Sequence, residues 1–193
     1  MLDQLNLSSR SMELCQLVQK SLCTDQAGDN IALDAGISRI SKLLRKTSRN
    51  AGNVYLIGNG GSAAVASHIA NDLCNVAELR AMSLLDHTAL TCFANDYGYE
   101  NVYRDRLKRI ARPQDVLVAI SSSGESPNIV RAAEAMRQLG GIIISLSGFT
   151  AANPLRTIGD INLWINSSDY GLVEIGHLFI LHHLVDHIRL NWA

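Results

Sequence analysis

Apolar positions along the chain follow two rhythms. Over 9–24, Met12, Cys15, Val18 and Leu22 recur at helical spacing, and over 31–47 so do Leu33, Ile37, Ile40 and Leu44. The polar run 25–30 separates the two. From there, short unbroken apolar runs alternate with amphipathic stretches. The runs predict strands at 54–57, 81–85, 115–120, 142–147 and 161–165. The stretches predict helices at 62–75, 88–94, 101–111, 127–139 and 171–190. Pro127 after Ser126 is a helix start, and Gly140-Gly141 is a stop.

Strands that alternate with helices make βαβ units and a parallel sheet covered on both faces. The expectation is an α/β fold: a doubly wound five-stranded parallel sheet in one domain over 1–193. Helices over 1–50 preface a core over 51–193.

Composition narrows the classes. Lys and Arg number 17 and Asp and Glu 18, giving net charge −1, with 47% hydrophobic and 18% charged residues. The chain is therefore globular, and no basic cluster sits beside aromatics for direct nucleic-acid binding. No apolar run approaches the ~20 residues of a membrane span. Asp3, Gln4 and Asn6 stand where a signal peptide would be apolar. Cys15, Cys23, Cys74 and Cys92 form no C-x-x-C pair, so a reducing compartment, the cytoplasm, is expected.

The chemistry concentrates at two loops. Val54–Ile57 leads into Gly58-Asn59-Gly60-Gly61-Ser62, a strand, glycine turn and helix start with Ser62 at a capping position. Helix N-termini offer free N–H groups and partial positive charge, so this turn invites an anion. The second loop, Ser121-Ser122-Ser123-Gly124-Glu125-Ser126, follows the third strand. In a doubly wound sheet the two loops face one another at the switch point. Hydroxyls and amides there can neutralise a phosphate without Lys or Arg. No Lys follows Gly61, which excludes a P-loop. Gly58-x-Gly60-x-x-Ala63, with Asp86 ending the second strand, also fits a dinucleotide fingerprint, but that reading leaves the serine loop without a role.

A further set lies on two helices. His68 and Asp72 are four apart, and Glu174 and His182 are eight apart, so each pair shares a helix face. Together they could form a four-ligand N/O site for Zn²⁺ or another divalent ion. Two acids and two bases near a phosphate also suit proton transfer. His177, His183 and His187 on the same helix are further candidates.

Gly58–Ser62, His68, Asn95-Asp96 and Ser121–Ser126 resemble the sugar isomerase (SIS) domain family, in its phosphoheptose isomerase branch, over about residues 50–190. The resemblance implies a flavodoxin-like strand order 2-1-3-4-5 and a homotetramer with active sites at subunit contacts. It implies aldose–ketose isomerisation of sedoheptulose 7-phosphate to a heptose 7-phosphate through an enediol, with zinc in some members. Ser62, Ser121, Ser123 and Ser126 would hold the phosphate, with Ser122 also among the substrate-binding residues. Asn59, Gly60, Gly61, Asn95 and Asp96 would contact the sugar. The family's catalytic glutamate falls on Asp72. Its glutamine and histidine fall on Glu174 and His182 with one residue of register, or on Val173 and Leu181 without it. The first alignment keeps the eight-residue spacing and the polar groups.

Two departures follow. Asp72 is one methylene shorter than glutamate, and misplacing a base by ~1 Å can cost ~100-fold. Glu174 in place of glutamine adds negative charge, which favours a divalent ion and disfavours an anionic enediol. The alternative function is a non-catalytic SIS module that binds a sugar phosphate or a protein partner such as the replication initiator.

Overall fold

The computed structural model describes residues 6–191, so Asp3 and Gln4 of the polar N-terminus lie outside the described residues. In chain order come α1 (Leu7–Gln19), β1 (Leu22–Asp25), β2 (Asn30–Ile31), α2 (Leu33–Arg49), β3 (Val54–Ile57) and α3 (Gly60–Asn75). There follow β4 (Ala81–Ser83), α4 (His87–Tyr97), a 3-10 turn (Tyr99–Asn101), α5 (Val102–Ile110), β5 (Val116–Ser121) and α6 (Pro127–Gln138). The chain ends with β6 (Ile142–Ser147), α7 (Pro154–Ile158), β7 (Ile161–Trp164) and α8 (Tyr170–Leu190).

Among the described residues the sheet has seven strands, in the order β2-β1-β7-β6-β5-β3-β4. Strands β7, β6, β5, β3 and β4 pair in parallel. β1 is antiparallel to both β7 and β2. The sheet is therefore mixed, which corrects the expectation of five parallel strands only. Leu22 and Cys23, which the helical spacing assigned to the first helix, belong to β1. The polar run 25–30 is the turn of a hairpin. Asp25 accepts from the amides of Ala27 and Asp29 at 2.9 and 3.0 Å, and Gly28 takes φ +88°. The hairpin covers the β7 edge, which would otherwise present unpaired backbone groups.

Strand alternation sorts the core onto two faces. Val54, Leu56, Val116, Val118 and Ile120 face α2, α3 and α8, meeting Ile40, Leu44, Ile69 and Leu184. Tyr55, Ile57, Leu117 and Ala119 face α5 and α6, meeting Tyr103, Leu107, Ile129 and Met136. Fully burying one such aliphatic side chain is worth about 1.5–3 kcal/mol. α1 lies outside this core. It rests on α8 through Leu14 and Val18, which sit close to Gly176, and through an ion pair from Arg10 to Asp169. Because β3 pairs directly with β5, with Ile57 opposite Ala119, the loops leaving their carboxyl ends are neighbours.

Candidate active site

Those two loops enclose a cavity of about 280 Å³, lined by Asn59, Gly60, Ser62, Ser121, Ser122, Ser123, Ser126, Tyr170 and Glu174. The chain enters it through a tight turn. A side chain on Gly58 would collide with the backbone of Ser62 and Ala63, and Gly60 takes φ +53°. Both positions therefore need glycine. Tyr103 fixes the turn from below, its hydroxyl donating to the Gly58 carbonyl at 2.7 Å. Burial pushes that phenol's pKa well up, so it stays a donor.

The structure moves the expected cap. α3 begins at Gly60, so its N-cap is Asn59, and Ser62 is a buried residue of the first turn. Neither Asn59 on α3 nor Ser126 on α6 makes a side-chain cap, whereas Asn6, Asp86, Asn153 and Asp169 cap α1, α4, α7 and α8. The two helix starts that open on the cavity thus keep amides for a ligand. The Ser122 hydroxyl is buried without a partner among the described residues. Ser121 accepts from the Gly124 amide at 3.2 Å, and Ser123 accepts from the Glu125 amide at 3.2 Å. Among the described residues no Lys or Arg lines the cavity, and Glu174 supplies its one carboxylate.

Glu174 is half-buried, and its carboxylate stands over Gly61, where a Cβ would collide with it. His68 and His182 face one another farther along the same helices, so α3 and α8 run side by side in one direction. The two Nε2 atoms are 3.2 Å apart. Asp72 Oδ2 lies 3.4 Å from His68 Nε2 and 3.5 Å from His182 Nδ1. Ligand atoms from these three residues all fall within 4.8 Å of one another. Ligands ~2.05 Å from a tetrahedral ion are separated by about 3.3 Å, so the nitrogen pair has the spacing of a zinc-type N/O set. Glu174, expected as a fourth ligand, is outside this group. Two turns of α8, about 12 Å of rise, separate it from His182, and its carboxylate is directed to the start of α3.

Asn95 and Asp96 are also not on the cavity wall. α4 runs on through them to Tyr97 and ends at Gly98, φ +83°. Both are exposed there and bond each other at 2.9 Å. Their neighbour Tyr99 reaches the site instead, donating to Asn59 Oδ1 at 3.0 Å. Asn128 completes this contact by exchanging two amide hydrogen bonds with Asn59. Tyr99, Asn128 and Tyr170 were not expected from the sequence. Of the other α8 histidines, His177 is fully buried against the Ser147 carbonyl at 3.1 Å, which makes Nε2 the donor.

The model of the SIS domain family matches residues 29–148, well over half of the chain. This chain belongs to the SIS domain family. The phosphoheptose isomerase of Helicobacter pylori (strain P12) is 36% identical to this SIS protein over 157 residues, 78% of this chain and 81% of the relative. That of Trichlorobacter lovleyi is 33% identical over 163 residues, 81% and 83%. Among solved structures, a phosphoheptose isomerase from Francisella tularensis superposes with a TM-score of 0.83 at 27% identity, covering 98% of both chains. The enzyme from Neisseria gonorrhoeae gives 0.82 at 28%, covering 93% of both.

Proposed function

We propose that this SIS protein is an aldose–ketose isomerase that interconverts sedoheptulose 7-phosphate and an aldoheptose 7-phosphate through an enediol. The observation that carries this reading is the cavity itself. Two uncapped helix starts and a ring of serine hydroxyls, one of them unpartnered, form an anion cradle beside a carboxylate that has no hydrogen-bond partner among the described residues. The relatives at 33–36% identity, phosphoheptose isomerases by name, support the substrate class.

The phosphate oxygens accept from the amides that open α3 and α6 and from the Ser62, Ser121, Ser122, Ser123 and Ser126 hydroxyls. The carbon chain then runs along the α3–α8 groove past Glu174 toward His182. Asp72, whose Oδ2 lies 3.5 Å from His182 Nδ1, takes a proton from C1 of the ketose and returns it to C2. His182 shuttles the accompanying proton between the C1 and C2 oxygens, oriented by Asp72. Transfer of both protons converts C2 carbonyl to C2 hydroxyl and C1 hydroxyl to C1 aldehyde, with no other reactant consumed. His68, Asp72 and His182 would hold a divalent ion such as Zn²⁺, which when bound polarises the substrate oxygens as a Lewis acid.

The exposed apolar residues Leu7 and Met12 of α1 and Ile175 and Phe179 of α8 support contacts between copies, in a homotetramer. Four free cysteines support a cytoplasmic location. No described helix is long and apolar enough to cross a membrane. Incubation with sedoheptulose 7-phosphate, with and without added Zn²⁺, tests the reading. A new aldose is expected, and its absence in both arms would refute an isomerase.

A further inference from the structure

Anion binding leaves one wall of the cavity unexplained. Tyr170, the first residue of α8, lines the cavity and is 61% exposed. A phosphate site built from amides and hydroxyls has no use for an aromatic ring. Tyr170 is nevertheless held in place. Its ring meets that of Phe149 edge-on, centroids 4.8 Å apart and planes at 66°.

Phe149 is an unusual residue to find at its position. Its φ is +54°, a left-handed conformation in which Cβ crowds the following carbonyl oxygen, so residues other than glycine seldom adopt it. Backbone strain of this kind persists only where the surroundings impose it, and it gathers at ligand sites. Here the restraints are visible. The Phe149 amide donates to the Ser167 carbonyl at 2.9 Å, and the adjacent Gly148 amide donates to the Ser122 carbonyl at 2.8 Å. The Asn153 amide nitrogen further ties the turn to the Ser147 hydroxyl and the Thr150 carbonyl. The strained turn is therefore bonded directly to the serine loop and to the segment that leads into α8. It carries the phenyl ring that meets Tyr170 edge-on. The Tyr170 hydroxyl has no hydrogen-bond partner among the described residues.

We propose that Tyr170, buttressed by Phe149, determines which phosphorylated sugars this site accepts. The ring packs against the C–H faces of the carbon chain between the phosphate and the reacting end, and the phenol offers a hydrogen bond to a chain hydroxyl. A ligand that consists of the phosphate alone gains nothing from it. This inference rests on the sugar-phosphate reading of the cavity. Phe149 acts through Tyr170 and is a positioning residue.

Calorimetric titration of the full chain with sedoheptulose 7-phosphate and, separately, inorganic phosphate tests it. Tyr170→Ala is expected to weaken the sugar phosphate about tenfold and to leave phosphate within about twofold, a size typical of one aromatic contact. Tyr170→Phe, which keeps the ring, should retain most of the affinity. Phe149→Leu, which keeps bulk without the edge-on ring, should fall between, again for the sugar phosphate only. Equal losses for both ligands, or none for either, would overturn the proposal. Binding is read without turnover, so wild-type protein that binds the sugar phosphate selectively and fails to isomerise it would refute the isomerase reading and leave this one standing.

Discussion

Asn59 and Asn128 hold one another by two amide hydrogen bonds, at 2.9 and 2.8 Å. One residue precedes α3 and the other lies in the first turn of α6, so this pair locks together the two helix starts that form the anion cradle. Asn128 is 2% exposed, and Tyr99 supplies a third hydrogen bond. Asn128→Ala strands the Asn59 amide in a half-buried setting. The expected result is a loss of about 1–3 kcal/mol in urea unfolding, with weaker protection by phosphate. Unchanged stability and phosphate affinity would mean the pair has no positioning role.

The buried, unpartnered Ser122 hydroxyl makes a prediction of opposite sign for folding and binding. An orphaned polar group costs stability, so Ser122→Ala should leave the free protein as stable as before, or more stable by up to about 1 kcal/mol. Affinity for sugar phosphate should fall roughly tenfold, the worth of one lost hydrogen bond to a charged group. Thermal melts with and without ligand separate the two effects. A variant destabilised without ligand and unaltered in binding would contradict the assignment.

His68, Asp72 and His182 converge closely enough to share an ion. Equilibrium dialysis against Zn²⁺ should find about one bound ion per chain in the wild type. Asp72→Ala should bind far less, because catalytic zinc sites use three protein ligands and this change leaves two. Equal zinc in both proteins would remove the site.

His177 sets a pH dependence of folding. Burial is the main cause that lowers its pKa from 6.5 to about 4, partly opposed by the hydrogen bond to Ser147. Because the native state favours the neutral ring, the unfolded chain binds the extra proton first as pH falls. The stabilisation is complete above pH 6.5 and is lost as pH drops toward 4, to a total of about 3 kcal/mol. Urea unfolding at pH 7 and 4.5 measures this loss. His177→Gln should flatten the part of the slope due to this ring, and an unaltered slope would contradict the assignment.

The legible parts of the sequence were those with local signals. Gly58–Ser62 and Ser121–Ser126 declare themselves through glycine, serine and proline placed directly after apolar strands. The βαβ rhythm predicts parallel strands but not their order, so the pairing of β3 with β5, which brings the loops together, is supplied by the structure. The β1–β2 hairpin was hidden because Leu22 continues the helical spacing of Cys15 and Val18, and two strands of four and two residues carry too little alternation to compete. Asn128 reads as an ordinary first-turn residue until its partner across 69 positions is seen. Tyr170 and Phe149 meet only through the tertiary path of the chain. Shared helix face placed Glu174 with His182, but period alone does not give the direction of a side chain eight residues away.

The most direct test of the whole account follows sedoheptulose 7-phosphate in D₂O by proton NMR, with wild-type protein and with Asp72→Asn. The wild type should produce an aldoheptose 7-phosphate carrying deuterium at C2, and Asp72→Asn should do so at least about 100-fold more slowly while still binding the substrate. Substrate that protects the wild-type protein against unfolding, yet shows neither C1 exchange nor aldose with or without Zn²⁺, would contradict the account and leave a binding module in its place.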